Sequence, residues 1–287
     1  MSQAEIGIIG GSGLYEMEGL TGVTTVKVDT PFGEPSDELV LGTLDGRRLA
    51  FLPRHGRGHR ILPSEINFRA NIYAMKKLGV GRIISVSAVG SMKAEIVPGH
   101  IVVPDQFYDL TKHRVSTFFG EGIVVHVGFA DPVCHELSYI LYESGVKVGA
   151  TMHKGGTYLC MEGPQFSTRA ESKVHRQWGV DVIGMTNVTE AKLAREAEIC
   201  YATLALATDY DCWHETEEDV TIEAVVAIIN KNVATAKAII RDAVSRVPDT
   251  RACPCSEALK FGIMTDGARI PEDAKKKLEL LIGKYVK

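Results

Sequence analysis

The sequence predicts an α/β protein: one three-layer α/β/α domain over residues 1–287, with helices on both sides of a central mixed sheet. Three observations carry this. Apolar runs of strand length recur along the chain. Segments with apolar residues at helical spacing alternate with them. No repeat, low-complexity tract or linker interrupts the series. A chain of this length can bury roughly 75% of its unfolded surface, so one core suffices.

The elements follow in order. Ile6, Ile8 and Ile9 make a short buried strand that breaks into Gly10-Gly11-Ser12-Gly13. Over 64–78, Ile66, Ala70, Tyr73 and Ala74 fall on one helical face, and Gly79 provides the stop. Strands are expected at 82–86 and 99–104, and a helix over 132–144. Further strands at 157–160 and 181–185 alternate with helices over 168–178 and 188–197. Residues 200–208 (CYATLALAT) read as a strand buried on both faces. A long helix over 221–247 and a closing one over 271–286, with Pro271 in its first turn, complete the series.

Composition excludes several classes of function. The formal net charge is −4, which argues against a nucleic-acid or anionic-membrane partner. No stretch of about 18 apolar residues suggests a membrane span. The start, MSQAE, lacks the basic and apolar regions of a signal peptide, so a cytoplasmic location is expected. The six cysteines contain no Cys-x-x-Cys pair, so spacing gives no zinc site. Cys253-Pro254-Cys255 is compatible with a small strained disulfide, a redox pair or two loop thiols.

Ligands of such folds bind where strands end. The first loop fails the dinucleotide fingerprint: read from Gly11, Glu16 stands where the third glycine belongs, and no Gly-Lys-Ser/Thr follows. A hydroxyl and backbone N–H groups offered to a small anion fit the loop better; a tight turn without a ligand is the alternative. Arg54, His55, Arg57, His59 and Arg60 crowd one stretch after an apolar strand. Arginine forks match phosphate oxygens, while a solvated basic loop is the plainer account. The glycines between His55 and His59 argue against a metal-binding helix there. Ser12, Ser87 and Thr186, with Arg54 and His55, can surround one tetrahedral oxyanion. Asp209 and Asp211 close an apolar strand, where they suit N–H donors on a ligand or a tuned proton donor. A helix cap or exposed acids is the competing account.

In this order, IGIIGGSGLYE, RHGRGH (54–59), SAVGSM (87–92), EGPQFSTRAES (162–172), GMTNVTEAKLAREAEICYA (184–202) and ATDYDCW (207–213) resemble the purine nucleoside phosphorylase superfamily. The resemblance is closest to its 5′-methylthioadenosine phosphorylase branch and covers nearly the whole chain. It implies a partly barrel-like sheet and phosphorolysis of a nucleoside, with inorganic phosphate as co-substrate and no metal or organic cofactor. By motif, Ser12, Arg54, His55, Ser87, Ala88 and Thr186 would hold phosphate. Met185 would pack against the ribose. Phe166 would lie against the base, with Ser167 at its edge. Asp209 would serve the purine N7 as the catalytic acid. Asp211, able only to accept when ionised, would select the amino group of adenine. His126 would enter a neighbouring subunit's site, and Ile222 and Val225 would wall the 5′ pocket. The resemblance implies a homotrimer, or a dimer of trimers, and gives Cys253 and Cys255 a likeness to a C-terminal feature of heat-adapted archaeal members. A broad phosphorylase of inosine and guanosine, or a nucleoside-binding protein without catalysis, is the alternative.

Overall fold

A computed structural model describes residues 3–214 and 222–286. Among them, eleven strands form a single sheet: β1 (Ile6–Gly10), β2 (Thr21–Val26), β3 (Leu39–Leu44), β4 (Arg47–Pro53), β5 (Arg82–Ser91), β6 (Ile101–Val103), β7 (Gln106–Asp109), β8 (Met152–Lys154), β9 (Thr157–Cys160), β10 (Val182–Gly184) and β11 (Cys200–Asp209). The helices are α1 (Phe68–Leu78), α2 (His135–Lys147), α3 (Arg169–Gln177), α4 (Asn187–Glu196), α5 (Ile222–Arg246) and α6 (Glu272–Ile282).

Side-chain alternation along the strands builds two cores. Ile9, Ala50, Leu52, Ile83 and Tyr201 face α1, α4 and α6. Their neighbours Ile8, Phe51, Ile84 and Leu204 face α2 and α5. This period of two, with both faces apolar, is what a sheet covered on both sides requires.

The sheet is mixed and forks at β5 rather than closing. β1 pairs with β4 and β5 in parallel, and β11 runs parallel along the other edge of β5. β10 joins β5 antiparallel, while β2 and β3 extend the other end as antiparallel strands. The predicted α/β class and three layers are therefore present, with the sheet open among the described strands.

Several boundaries differ from the sequence reading: the helix expected over 132–144 runs His135–Lys147, the strand expected at 99–104 is Ile101–Val103 and the closing helix ends at Ile282. Two of the differences have identifiable reasons. α1 begins after Asn67, whose Oδ1 accepts from Ala70 N at 3.1 Å and caps the helix. β5 does not stop at Val86: β11 pairs with it out to Gly90, so Ser87–Ser91 is strand and not loop.

β5 also positions the site. Its first half pairs with β1 through Ile9↔Ser85, and its end pairs with β10 from Ile183↔Gly90. Between these partners, residues 86–89 lack a neighbouring strand on that edge. The sheet opens there, as at the switch points where α/β folds bind ligands.

Candidate active site

A cavity of about 560 Å³ fills this opening. The exposed edge of β5 (Val86–Gly90) lines it, with Gly11 and Gly13 after β1, Arg54, His55 and His59 after β4, Gly184–Thr186 at the end of β10, and Asp209 and Asp211 at the end of β11. Leu206, Ile229 and Val233 supply apolar wall. Nine sequence-predicted residues thus converge on one space: Arg54, His55, Ser87, Ala88, Phe166, Met185, Thr186, Asp209 and Asp211.

Arg54 is the buried anchor. It forks onto Glu190 through Nε and Nη2, the latter at 3.1 Å from Oε2. Its Nη1 donates to Val86 O at 3.0 Å, satisfying a carbonyl on the unpaired edge of β5, and Nη2 also reaches Ser85 Oγ at 2.6 Å. Burial works against the guanidinium charge, but Glu190 more than offsets this, and the group is held more firmly protonated than usual. Glu190 further accepts from Ser85 Oγ at 3.0 Å and Tyr201 OH at 2.8 Å.

His55 is neutral. Burial drives its pKa down to about 4, and adjacent Arg54 adds to the effect against the opposing Ile61 carbonyl. Its Nδ1 lies 2.8 Å from Ile61 O. A carbonyl only accepts, so Nδ1 carries the hydrogen and Nε2 keeps a lone pair. His59 stacks on the ring at 4.3 Å. The rest of the basic run turns away: Arg57 pairs with Asp37 at 3.0 Å and Arg60 donates to Ser36 O at 3.2 Å.

Neutral donors make up the remainder of this end. Ser87 Oγ lies 3.3 Å from Tyr158 OH, and Ala88 is exposed to the cavity from within the buried strand. Thr186 is the N-cap of α4, so the free amides of that helix begin at the cavity wall. The side chain of Ser12 lies outside the described ones, as do those of Ile222 and Val225.

The carboxylates sit at the far end of the β5 edge. A bulge between Ala207 and Asp209 breaks the β11 register and re-aims the strand end. Thr208 Oγ1 donates to Asp209 Oδ2 at 2.7 Å, and Asp211 N donates to Oδ1 at 2.8 Å. Asp211 itself has φ of +54°, a left-handed backbone that Asp and Asn tolerate. Gly90 leaves room for them: a Cβ there would lie 3.0 Å from Asp209 Oδ1 and press on that carboxylate. From Val86 to Gly90 the strand spans about 13 Å, which separates the Arg54 end from the acid end.

Phe166 stands at the cavity wall with 83% of its surface exposed. Ser167 is set back, its Oγ 4.0 Å from Met161 Sδ and its carbonyl accepting from Cys212. His126 is exposed and does not line the cavity of its own chain; its N donates to Gly262 O at 2.8 Å.

Sequence reasoning missed three polar residues. Glu190 is invisible without Arg54 because the two are far apart in the chain. The Arg114 side chain is buried and holds the carbonyls of Met185 and Glu162, the latter at 2.7 Å, bracing the ends of β9 and β10. Asn232 lines the cavity from α5 and donates to Ala207 O at 2.9 Å, while its Oδ1 is buried without a partner. Glu190 and Asn232 lie within helical stretches, where a polar residue looks like part of a solvated face.

A family model described as "Phosphorylase superfamily" matches residues 5–245. The chain belongs to the phosphorylase superfamily. Among curated relatives, the S-methyl-5′-thioadenosine phosphorylase of Geobacter sulfurreducens is 66% identical over 282 residues, 98% of this chain and 99% of that protein. Its counterpart from Koribacter versatilis is 61% identical, covering 99% of this chain and 97% of that protein. A crystal structure of a methylthioadenosine phosphorylase from an antarctic soil metagenomic library matches with a TM-score of 0.95 and 49% identity, over 98% of this chain and 99% of that one. A mutant adenosine/methylthioadenosine phosphorylase from Schistosoma mansoni, solved in complex with methylthioadenosine, matches with a TM-score of 0.82 and 36% identity, over 90% of this chain and 96% of that one.

Proposed function

We propose that this protein cleaves the N-glycosidic bond of 5′-methylthioadenosine with inorganic phosphate, reversibly, giving adenine and 5-methylthioribose 1-phosphate. Adenosine is a secondary substrate, because an apolar pocket rejects an added hydroxyl by only about 10²-fold. The observation that carries the reading is the single cavity with an Arg54–His55–Ser87–Thr186 end and an Asp209–Asp211 end, in a chain whose relatives of this superfamily carry that name.

Phosphate sits at the first end. Arg54 is already neutralised by Glu190, so neutral donors do much of the binding: the Ser12, Ser87 and Thr186 hydroxyls, Ala88 N–H and the start of α4. His55 contributes an acceptor, and its Nε2 lone pair takes the hydrogen of a protonated phosphate oxygen. Phosphate held beside the sugar stabilises the positive charge that grows there as the bond breaks. At the other end Asp209 serves the purine N7, which gains negative charge; the Thr208 and Asp211 donors orient its carboxyl. Asp211 accepts from the exocyclic amino group of adenine and disfavours an oxo group in that place. Met185 lies against the ribose, with Phe166 over the base and Ser167 at its edge. No cofactor takes part.

The protein works as a homotrimer or a dimer of trimers. His126 completes the 5′ pocket of a neighbouring subunit, where Ile222 and Val225 supply apolar wall. The exposure of His126 outside its own cavity supports this, as do exposed Val124, Phe261 and Met264 in the two segments that meet there. Among the described residues no helix is long and apolar enough to cross a membrane, which fits the proposed cytoplasmic location.

The test is release of purine from methylthioadenosine, adenosine and inosine, each with and without phosphate. Adenine from methylthioadenosine only in the presence of phosphate is expected. Release without phosphate would make the protein a hydrolase, and preference for inosine would overturn the role of Asp211.

A further inference from the structure

Four cysteines meet at the end of β11 remote from the cavity. Cys200 opens β11, Cys134 is the N-cap of α2, and Cys253 and Cys255 flank Pro254 in the segment after α5. Their sulfurs all lie within 4.8 Å of one another, with Cys200 and Cys253 at 3.3 Å. All are free thiols; Cys253 is half-buried and the other three are buried. Backbone bonds fix two of the positions: Cys134 N donates to Tyr201 O at 2.8 Å, and Cys200 N to Gly81 O at 3.0 Å.

We propose that these four cysteines form a structural site for a tetrahedral, thiophilic divalent cation, with zinc the ion of matching chemistry. Zinc–thiolate bonds of about 2.3 Å set sulfur–sulfur edges of about 3.8 Å. The Cys200–Cys253 separation of 3.3 Å lies below that edge and the 4.8 Å limit on all the pairs lies above it, and 3.3 Å exceeds a disulfide bond of about 2.05 Å. One ion engages all four sulfurs at once. Cys253 and Cys255 are separated by one residue, a spacing at which a mutual bond closes a small strained ring while both can face one ion. The free amides and dipole of the α2 N-terminus favour anionic sulfur at Cys134. Leu137, Ala202 and Val247 belong to the same apolar cluster as Cys134, Cys200 and Cys255, which shields three of the four sulfurs from water, as suits structural rather than catalytic zinc.

The ion's effect is mechanical. β11 runs from Cys200 to Asp209, about 30 Å of strand, so the ion takes no part in phosphorolysis. It fastens the segment after α5 to the sheet. That segment continues to Gly262 and Ile263, which brace Val125 and His126. A search for Cys-x-x-Cys pairs misses the site because three separate segments supply its ligands.

The full chain, produced under reducing conditions in zinc-containing medium, is analysed for metal by mass spectrometry and for thiols after unfolding without reductant. One zinc per chain is expected, released when an organomercurial modifies the thiols. Cobalt substitution is expected to give the thiolate-to-metal charge-transfer and visible ligand-field bands of a tetrahedral site. The C253S/C255S double variant should lose both zinc and the cobalt bands. Its circular dichroism reports whether it folds, and the cobalt spectrum of the parent decides the matter if it does not. A parent chain that binds neither ion after reduction, a thiol count short by two or four in the reduced preparation, or zinc retained by the double variant would each overturn the proposal.

Discussion

Replacing Glu190 tests how the phosphate end is built. Arg54 and Glu190 have side chains only 3% and 1% exposed. Breaking a buried pair by removing one partner costs about 3–5 kcal/mol, because the remaining charge stays buried and uncompensated. Glu190→Ala also strips Ser85 and Tyr201 of their acceptor, at about 1 kcal/mol each, and approaches the whole stability of many domains. Glu190→Gln is the usable variant. It keeps the shape and one acceptor oxygen, so a loss near the lower figure, about 3 kcal/mol, is expected. At about 2 °C per kcal/mol for a chain of this size, Tm should fall by roughly 6 °C. The guanidinium, no longer held by a carboxylate fork, should drift from the β5 edge and raise KM for phosphate while KM for the nucleoside stays put. Calorimetry and initial rates at a temperature where both proteins are folded measure the two effects. Arg54→Met/Glu190→Leu is the complementary variant: the apolar pair should recover most of the Tm and lose phosphorolysis. An unchanged phosphate KM in Glu190→Gln, with Tm within a degree of the parent, would refute the reasoning.

Three further outcomes are expected. Asp211→Asn, which tolerates the same positive φ, should shift the ratio of adenosine to inosine turnover toward inosine by about 10²-fold or more; an unchanged ratio counts against Asp211 as the base reader. Sulfate, which carries no hydrogen at neutral pH, should compete poorly with phosphate because His55 Nε2 has nothing to accept, and equal inhibition constants would remove that role. Burial pushes Glu196 up to about 7, against the donors Phe118 N at 2.8 Å and Thr117 Oγ1 at 2.7 Å. The folded chain then holds more protons than the unfolded one between about pH 4.5 and 7, so this group's contribution to stability falls as pH rises, by about 3 kcal/mol in all. Neutral His55 works in the opposite sense, losing stability as pH falls from about 6.5 toward 4. Glu196→Gln should therefore match the parent near the acid end and exceed it in urea unfolding at about pH 8; a difference independent of pH would sink the assignment.

What the sequence revealed follows from how local each signal is. Residues 157–160 and the apolar run from Cys200 are strands where composition places them, because both are buried on two faces and carry no competing signal. β2 was not legible: five of its six residues are exposed, so no apolar run marks it. The length of β5 was hidden for another reason. Ser87 and Gly90 look like loop residues, and only pairing with β11 keeps them extended. At the site, residues at strand ends could be named one by one, but their partners could not. The tautomer of His55 depends on the Ile61 carbonyl, and the anchoring of Arg54 on a carboxylate from α4. The four cysteines form a cluster only after α2, β11 and the C-terminal segment have come together.

The Arg54–Glu190 pair has a consequence for synthesis. The two residues are 136 positions apart, and at about 5–20 residues per second the ribosome delivers the carboxylate roughly seven to twenty-seven seconds after the guanidinium. During that interval β1, β4 and β5 can begin to associate, but closing the sheet over a lone cation would cost several kcal/mol. The phosphate end of the cavity is thus a late step of assembly. A nascent chain that stops short of α4 should keep Arg54 in water and leave the β5 edge within reach of a chaperone.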